Sequence, residues 1–300
     1  MQYKNLQTGL VGALLCAWMS GAGAEGWPSP DQGKLLATGG VSQIEGAGGG
    51  GLTPWALITG YGSRDSYGAN VHYTGVRTQD YAIDSAGVAI GLADRFEVSL
   101  ASQTLHGSKA PLAQLAIRQD IVGIKLKLSG DAIIDQERAA PQFAVGLQFK
   151  QNQGVRGLGA LGVTDVTQLG AKKNHGIDLY FAATKLLLDQ SLLLNATLRM
   201  TKANQLGLLG FGGDLHDQYQ PMLETSIGYL FNRQLLAGVE YRMKPRNLSV
   251  DKEKHFADVF IAYFPVRNFS VVAGWVSLGD ITIFNPRNQS GWYLSMQGGF

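Results

Sequence analysis

Apolar and polar residues alternate along most of this chain. Over residues 141–150, Phe143, Val145, Leu147 and Phe149 fall on one side, and Gln142, Gln148 and Lys150 on the other. Over 95–103, Phe96, Val98 and Leu100 oppose Arg95, Glu97, Ser99 and Gln103. The same holds for Leu192, Leu194, Leu198 and Met200 against Asn195, Thr197, Arg199 and Thr201. A period of two places each set on one face of a β-strand. About thirteen such segments follow Pro54, near 55–63, 69–79, 80–92, 94–106, 119–130, 141–150, 175–186, 191–203, 219–230, 234–244, 256–265, 268–279 and 291–300. No amphipathic helix pattern interrupts them.

Two folds accept so many alternating strands: a soluble sandwich and a closed membrane barrel. Three features favour the barrel. The segments run to about ten residues, whereas soluble strands most often have about five or six. Short turns at 92–94, 231–233 and 265–267 alternate with long polar loops at 151–174, 204–218, 245–255 and 280–290, the pattern of outer-membrane barrels. Aromatics stand near segment ends (Trp55, Phe149, Phe231, Tyr263, Phe264, Trp292, Phe300), as an interfacial girdle requires. The expected fold is therefore an all-β, antiparallel transmembrane barrel, with a soluble β-sandwich as the alternative.

Residues 1–24 read as a secretory signal peptide, with Lys4 ahead of an apolar stretch over 10–19 and small residues at 22–24. The single cysteine, Cys16, lies within it, which excludes a disulfide framework and a cysteine nucleophile from the rest. Residues 25–54 are glycine-rich; the run Gly46–Gly51, interrupted only by Ala47, suits no helix. This segment is expected to be a first strand or a plug with Gly48, Gly49, Gly50 and Gly51 at a constriction, and 55–300 to form the barrel. A closed barrel with both termini on one side has an even strand count. Residues 34–45 offer a fourteenth strand, whereas merging two early segments leaves twelve, so the expectation is 12–14.

In the last segment Trp292, Leu294, Met296, Gly298 and Phe300 share one face. A terminal Phe on an alternating strand resembles the signal read by the bacterial outer-membrane assembly machinery, although Gly298 departs from it. Longer runs resemble one family. These are GGVSQIEG at 39–46, GLTPWA at 51–56, LLNATLR at 193–199, TKANQ at 201–205, LLGFGG at 208–213 and GWYLS at 291–295. On these the chain resembles the bacterial domain-of-unknown-function family 3034, predicted outer-membrane proteins of Gram-negative bacteria. The resemblance implies a membrane barrel in the outer membrane, with lipid as its surroundings, and carries no catalytic residues.

Composition adds little to this. Charged residues make up 16% of the chain and the net charge is +2, too little charge for a disordered or nucleic-acid-binding chain. In a membrane barrel the polar face meets the lumen. The expected lumen charges are Arg95, Lys125, Lys127, Lys150, Arg199, Arg242 and Lys244 against Glu97, Asp178, Glu224, Glu240 and Asp258. A strongly selective pore would show a ring of one sign; mixed signs suit a weakly selective pore or a self-paired interior. A four-residue turn at 187–190 sets Asp178 opposite Arg199, and a turn at 231–233 sets Glu224 opposite Glu240. His216, between Asp214 and Asp217, is the best candidate for a surface hydrolase centre, with a solvated loop as the plain reading. No metal spacing or cofactor motif is found. The expected function is a passive pore or transporter for small solutes; a surface enzyme and a closed structural or adhesion barrel are the alternatives.

Overall fold

Twelve of the thirteen alternating segments form strands. The structure, a computed structural model, describes residues 33–34, 36–39, 41–110, 112–137, 139–251, 253–281 and 287–300. The expected signal peptide and Cys16 lie outside them. The strands are β1 (Tyr67–Thr78), β2 (Tyr81–Leu92), β3 (Phe96–Gly107), β4 (Ala116–Ser129), β5 (Gln142–Arg156) and β6 (His175–Leu187). They continue as β7 (Leu192–Thr201), β8 (Gln220–Asn232), β9 (Leu235–Arg242), β10 (Phe256–Val266), β11 (Phe269–Ser277) and β12 (Ser290–Gly299). Each pairs antiparallel with its sequence neighbours, and β1 pairs with β12 to close the sheet. Closure leaves no edge of unpaired backbone groups, the condition for a sheet in hydrocarbon.

Alternation then sorts the side chains. Outward positions are apolar and about half exposed, among them Ile124 (52%), Ile227 (53%), Val259 (54%), Ile261 (55%) and Trp292 (54%). This continuous apolar belt far exceeds the patches of a soluble surface and is the lipid-facing band of a membrane barrel. Inward positions mix small, polar and charged residues with buried apolar ones, among them Ile83, Leu105, Ile117, Val272 and, on β10, Phe256, Phe260 and Phe264 beside Asp258.

Both barrel termini lie at one end. That end carries the connections 93–95, 130–141, 188–191, 233–234 and 267–268; the opposite end carries 79–80, 108–115, 157–174, 202–219, 243–255 and 278–289. The short/long rule therefore holds with two exceptions, 79–80 and 130–141.

Three expectations are corrected. Among the described residues, 34–45 contains no strand and 55–63 is not one, so the count is twelve, the lower bound expected, and the barrel begins at Tyr67 rather than at 55. Trp55 is buried in the lumen, where its Nε1 donates to Ser226 Oγ at 2.9 Å, and Phe264 also points inward; neither belongs to the girdle. Both hairpin registers shift by two: Asp178 is level with Thr201 and Glu224 with Arg242, because each turn lies about one residue later in the chain than expected. An even shift leaves each residue on its face, so the inward set is unchanged while the facing pairs differ.

Charging the outer belt should cost stability without disturbing the lumen. Ile261→Lys is expected to lose about 2–4 kcal/mol if it lies near the bilayer midplane, measured by reversible denaturant unfolding in liposomes.

Candidate functional site: the plugged lumen

The lumen is filled by the chain itself. The N-terminal segment enters at the terminal end, folds inside and returns there, with Gly60 N donating to Gly39 O at 2.6 Å and Tyr61 N to Phe300 O at 3.0 Å. Its turns hold themselves through Gln43 N to Ala47 O (2.8 Å), Gly50 N to Thr53 O (2.9 Å) and Trp55 N to Gly48 O (3.2 Å). From the opposite end the 202–219 connection folds inward, burying Leu206, Leu208, Leu209 and Phe211. The two meet at Lys150. Its Nζ pairs with Glu45 of the plug, with Asp178 Oδ2 (2.7 Å) and with Leu206 O (3.2 Å).

Around that contact lies a closed set of three cations and three carboxylates. Lys150, Arg199 and Arg242 come from β5, β7 and β9; Asp178 and Glu224 come from β6 and β8; Glu45 comes from the plug. Arg199 pairs with Glu224 (2.5 Å), Asp178 (3.3 Å) and Glu45 (3.6 Å), and its Nη1 also donates to Gln148 Oε1 at 2.7 Å. Arg242 pairs with Glu45 (2.8 Å) and Glu224 (3.1 Å), and donates to Leu52 O at 3.1 Å. All six side chains are essentially inaccessible to solvent. Burial pushes the Glu45 carboxyl up, but Arg242, Lys150 and Arg199 outweigh it and hold the group well below the usual carboxylate range. The predicted Asp178–Arg199 contact is present, as a diagonal rather than a directly opposed pair. Glu224, expected opposite a carboxylate, is neutralised by two arginines.

Two further contacts fasten the plug. Lys125 Nζ pairs with Glu97 (3.0 Å) and donates to Gly48 O and Leu57 O (2.8 Å each), while Gly48 N and Thr59 N donate to Glu97 at 2.9 Å. Glu240 accepts from Leu52 N (2.6 Å), Thr53 Oγ1 (2.8 Å) and Ser226 Oγ (2.7 Å). The Glu240 carboxylate comes so close to Gly50 that any Cβ there would overlap it, which gives one glycine of the run a packing reason. Gly49 and Gly51 belong to the same turn against the wall.

The remaining expected residues divide. Lys244 and Asp258 are buried. Lys244 pairs with Glu253 at 3.1 Å and donates to Gln205 Oε1 at 3.0 Å. Arg95 does not face the lumen: it is exposed in the turn before β3, because that strand begins only at Phe96. Lys127 is half-buried near the same rim, bound to Asp94 at 2.7 Å. His216 is exposed, and its neighbours are engaged elsewhere: Asp214 accepts from Ser249 N (2.9 Å), and Asp217 pairs with Lys202 (3.1 Å). The sequence reading missed Glu45, Asp251 and Glu253. The signal for Glu45 was the surplus of cations over carboxylates in the expected lumen set.

Glu45→Gln leaves three buried cations facing two carboxylates. It is expected to cost about 3–5 kcal/mol, read as a lower denaturation midpoint and as faster amide exchange over 41–55 than in the strands. A second prediction concerns the outer loop 243–255. Burial first, and Glu253 second, push the Asp251 carboxyl up to about 9. The folded state then holds a proton that the unfolded state has lost above about pH 4. Stability should therefore fall as pH rises from about 4 to about 9, and Asp251→Asn should flatten that slope in thermal unfolding across the range.

A family model for "Protein of unknown function (DUF3034)" matches residues 38–297, nearly the whole described chain. None of the curated proteins matches it in sequence. Among solved structures, the NanC porin is 9% identical with a TM-score of 0.50, covering 77% of this chain and 98% of that one. The KdgM porin is 12% identical with a TM-score of 0.47, covering 77% and 99%. Outer membrane phospholipase A from Escherichia coli is 8% identical with a TM-score of 0.39, covering 81% and 93%. At these identities the likeness is one of fold. The chain belongs to the domain-of-unknown-function family 3034, and its fold is a closed twelve-stranded β-barrel like those of outer-membrane porins.

Proposed function

We propose that the protein is an outer-membrane channel for small polar solutes whose own N-terminal segment holds it closed. In this reading residues 1–24 direct export and are removed, the C-terminal Phe300 is read by the assembly machinery, and 33–66 form the plug. One observation carries the reading: beside the apolar packing of Ile44, Leu52 and Trp55, the plug is held by buried charges of the wall. Glu97, Lys125, Lys150, Arg199, Glu240 and Arg242 meet the plug through ion pairs and hydrogen bonds. Buried ion pairs add little net stability compared with apolar packing. A barrel closed for structural reasons alone gains more from an apolar filling. A wall lined with charge has a different merit: it can be rehydrated when the segment leaves. The mixed signs of these charges suit weakly selective passage of small polar solutes.

Thr53 Oγ1 and Ser226 Oγ lie 2.5 Å apart across the plug–wall interface, which allows the plug to be locked. In planar bilayers the native protein should be closed with brief openings. Glu45→Ala should raise the open fraction at least tenfold. Adding T53C/S226C should abolish conductance when oxidised and restore it on reduction. Silence of all forms at every voltage would sink the channel and leave the closed structural barrel.

A further inference from the structure

The buried charges of the lumen are balanced in the central set and in the Lys125–Glu97 pair. At one place the strands themselves bring two carboxylates together with no cation beside them. Asp258 and Glu240 are directly opposed on β10 and β9, at 5% and 3% exposure. Their partners are all neutral donors. Glu240 receives Leu52 N, Thr53 Oγ1 and Ser226 Oγ. Asp258 receives Glu240 N at 3.1 Å and Tyr293 Oη at 2.8 Å. Among the described residues neither carboxylate forms an ion pair. Two carboxylates at this depth require a proton or a cation between them.

Space for a cation is present. Glu240 Oε2, Asp258 Oδ2 and Tyr293 Oη converge over Gly51, where a Cβ would lie 3.4, 3.4 and 3.1 Å from them. A cavity of about 20 Å³ opens there, bounded by Ser42, Gly51, Thr74, Asp258, Tyr293 and Ser295. That volume admits one water-sized particle. Ser42, 2% exposed, lines this cavity with a hydroxyl that has no hydrogen-bond partner. The other polar side chains on its boundary are the Asp258 carboxylate, the Tyr293 phenol, the Thr74 and Ser295 hydroxyls and the Gln297 amide, whose nitrogen is turned to Ser295 Oγ at 2.6 Å. Hard oxygen ligands such as the carboxylate and hydroxyls suit alkali and alkaline-earth cations. A single charge fits a space this small with two carboxylates, one of them already saturated by three donors.

We propose that this cavity binds a small alkali cation, of the size of Na+, held chiefly by Asp258 with Glu240 and Ser42. The cation lies between the wall and the plug strip Gly51–Thr53, so it fastens the plug to β9 and β10. The site does not depend on conduction. Its test is thermal unfolding of the detergent-folded full chain at equal ionic strength in NaCl, KCl or choline chloride. The wild type should unfold several degrees higher in NaCl than in choline chloride, with a saturable dependence on Na+ concentration. Asp258→Asn should abolish the difference. Gly51→Ala keeps both carboxylates but fills the space, and it should abolish the difference as well, which covers the case in which Asp258→Asn does not fold. Identical unfolding of the wild type in NaCl and choline chloride would overturn the proposal and assign a shared proton to the pair. A sodium response surviving in Gly51→Ala would equally overturn it.

Discussion

The interior depends on one carboxylate that the barrel does not supply. The wall alone brings Lys150, Arg199 and Arg242 into a space with Asp178 and Glu224, a surplus of one positive charge away from water. Glu45 closes that balance, contacting all three cations. Removing one partner from such a set leaves an uncompensated buried charge, which costs far more than an intact pair contributes. The plug is therefore not an arbitrary filling. Its depth and rotation are set by the demand that Glu45 reach three side chains from three different strands.

Glycine makes this possible. For Glu45 to reach the centre, the following turn must run against the wall, where the Glu240 carboxylate occupies the place of a side chain at residue 50. Gly46, at φ +98°, begins that turn in a backbone conformation that side chains disfavour. A charged wall and a side-chain-free plug are thus two halves of one arrangement: the wall provides long side chains, and the plug provides bare backbone for them to bind. Lys125 shows the same division, donating to two plug carbonyls while Glu97 receives two plug amides.

The strands and their inward faces were legible because a period of two is a local property. It survives errors in turn position, as the two shifted hairpins show: Asp178 and Glu224 kept their faces and changed their partners. Facing pairs were less legible, since they depend on where each turn closes. Glu240 was paired with Ser226, not Glu224, for that reason. Residues 55–63 look like a strand in sequence yet lie in the lumen, where the surrounding wall buries almost every one of them. Glu45 and Trp55 were illegible as site residues. Nothing local distinguishes a segment that lies inside a barrel from one that adds to its rim; only the surplus of positive charge in the lumen pointed to a missing anion.

The way the plug is anchored limits how it can move. Its exit is joined to the seam of the barrel: Phe300 O accepts from both Tyr61 N and Ala69 N at 3.0 Å, and Phe300 N donates back to Ala69 O. Displacing Tyr61 would therefore disturb the closure between β1 and β12, whose backbone pairing is what makes the sheet tolerable in lipid. The contacts deeper in the lumen carry no such penalty, since the freed charges would meet incoming water. Any opening compatible with an intact barrel therefore turns the 41–59 stretch about a fixed point near Tyr61. The Lys125–Glu97 pair binds both limbs of that stretch, Gly48 on one and Leu57 and Thr59 on the other, so it holds them together as one body. In the channel proposed above, the Glu45 contacts, deeper along the chain from Tyr61, are the ones that such a turn must break.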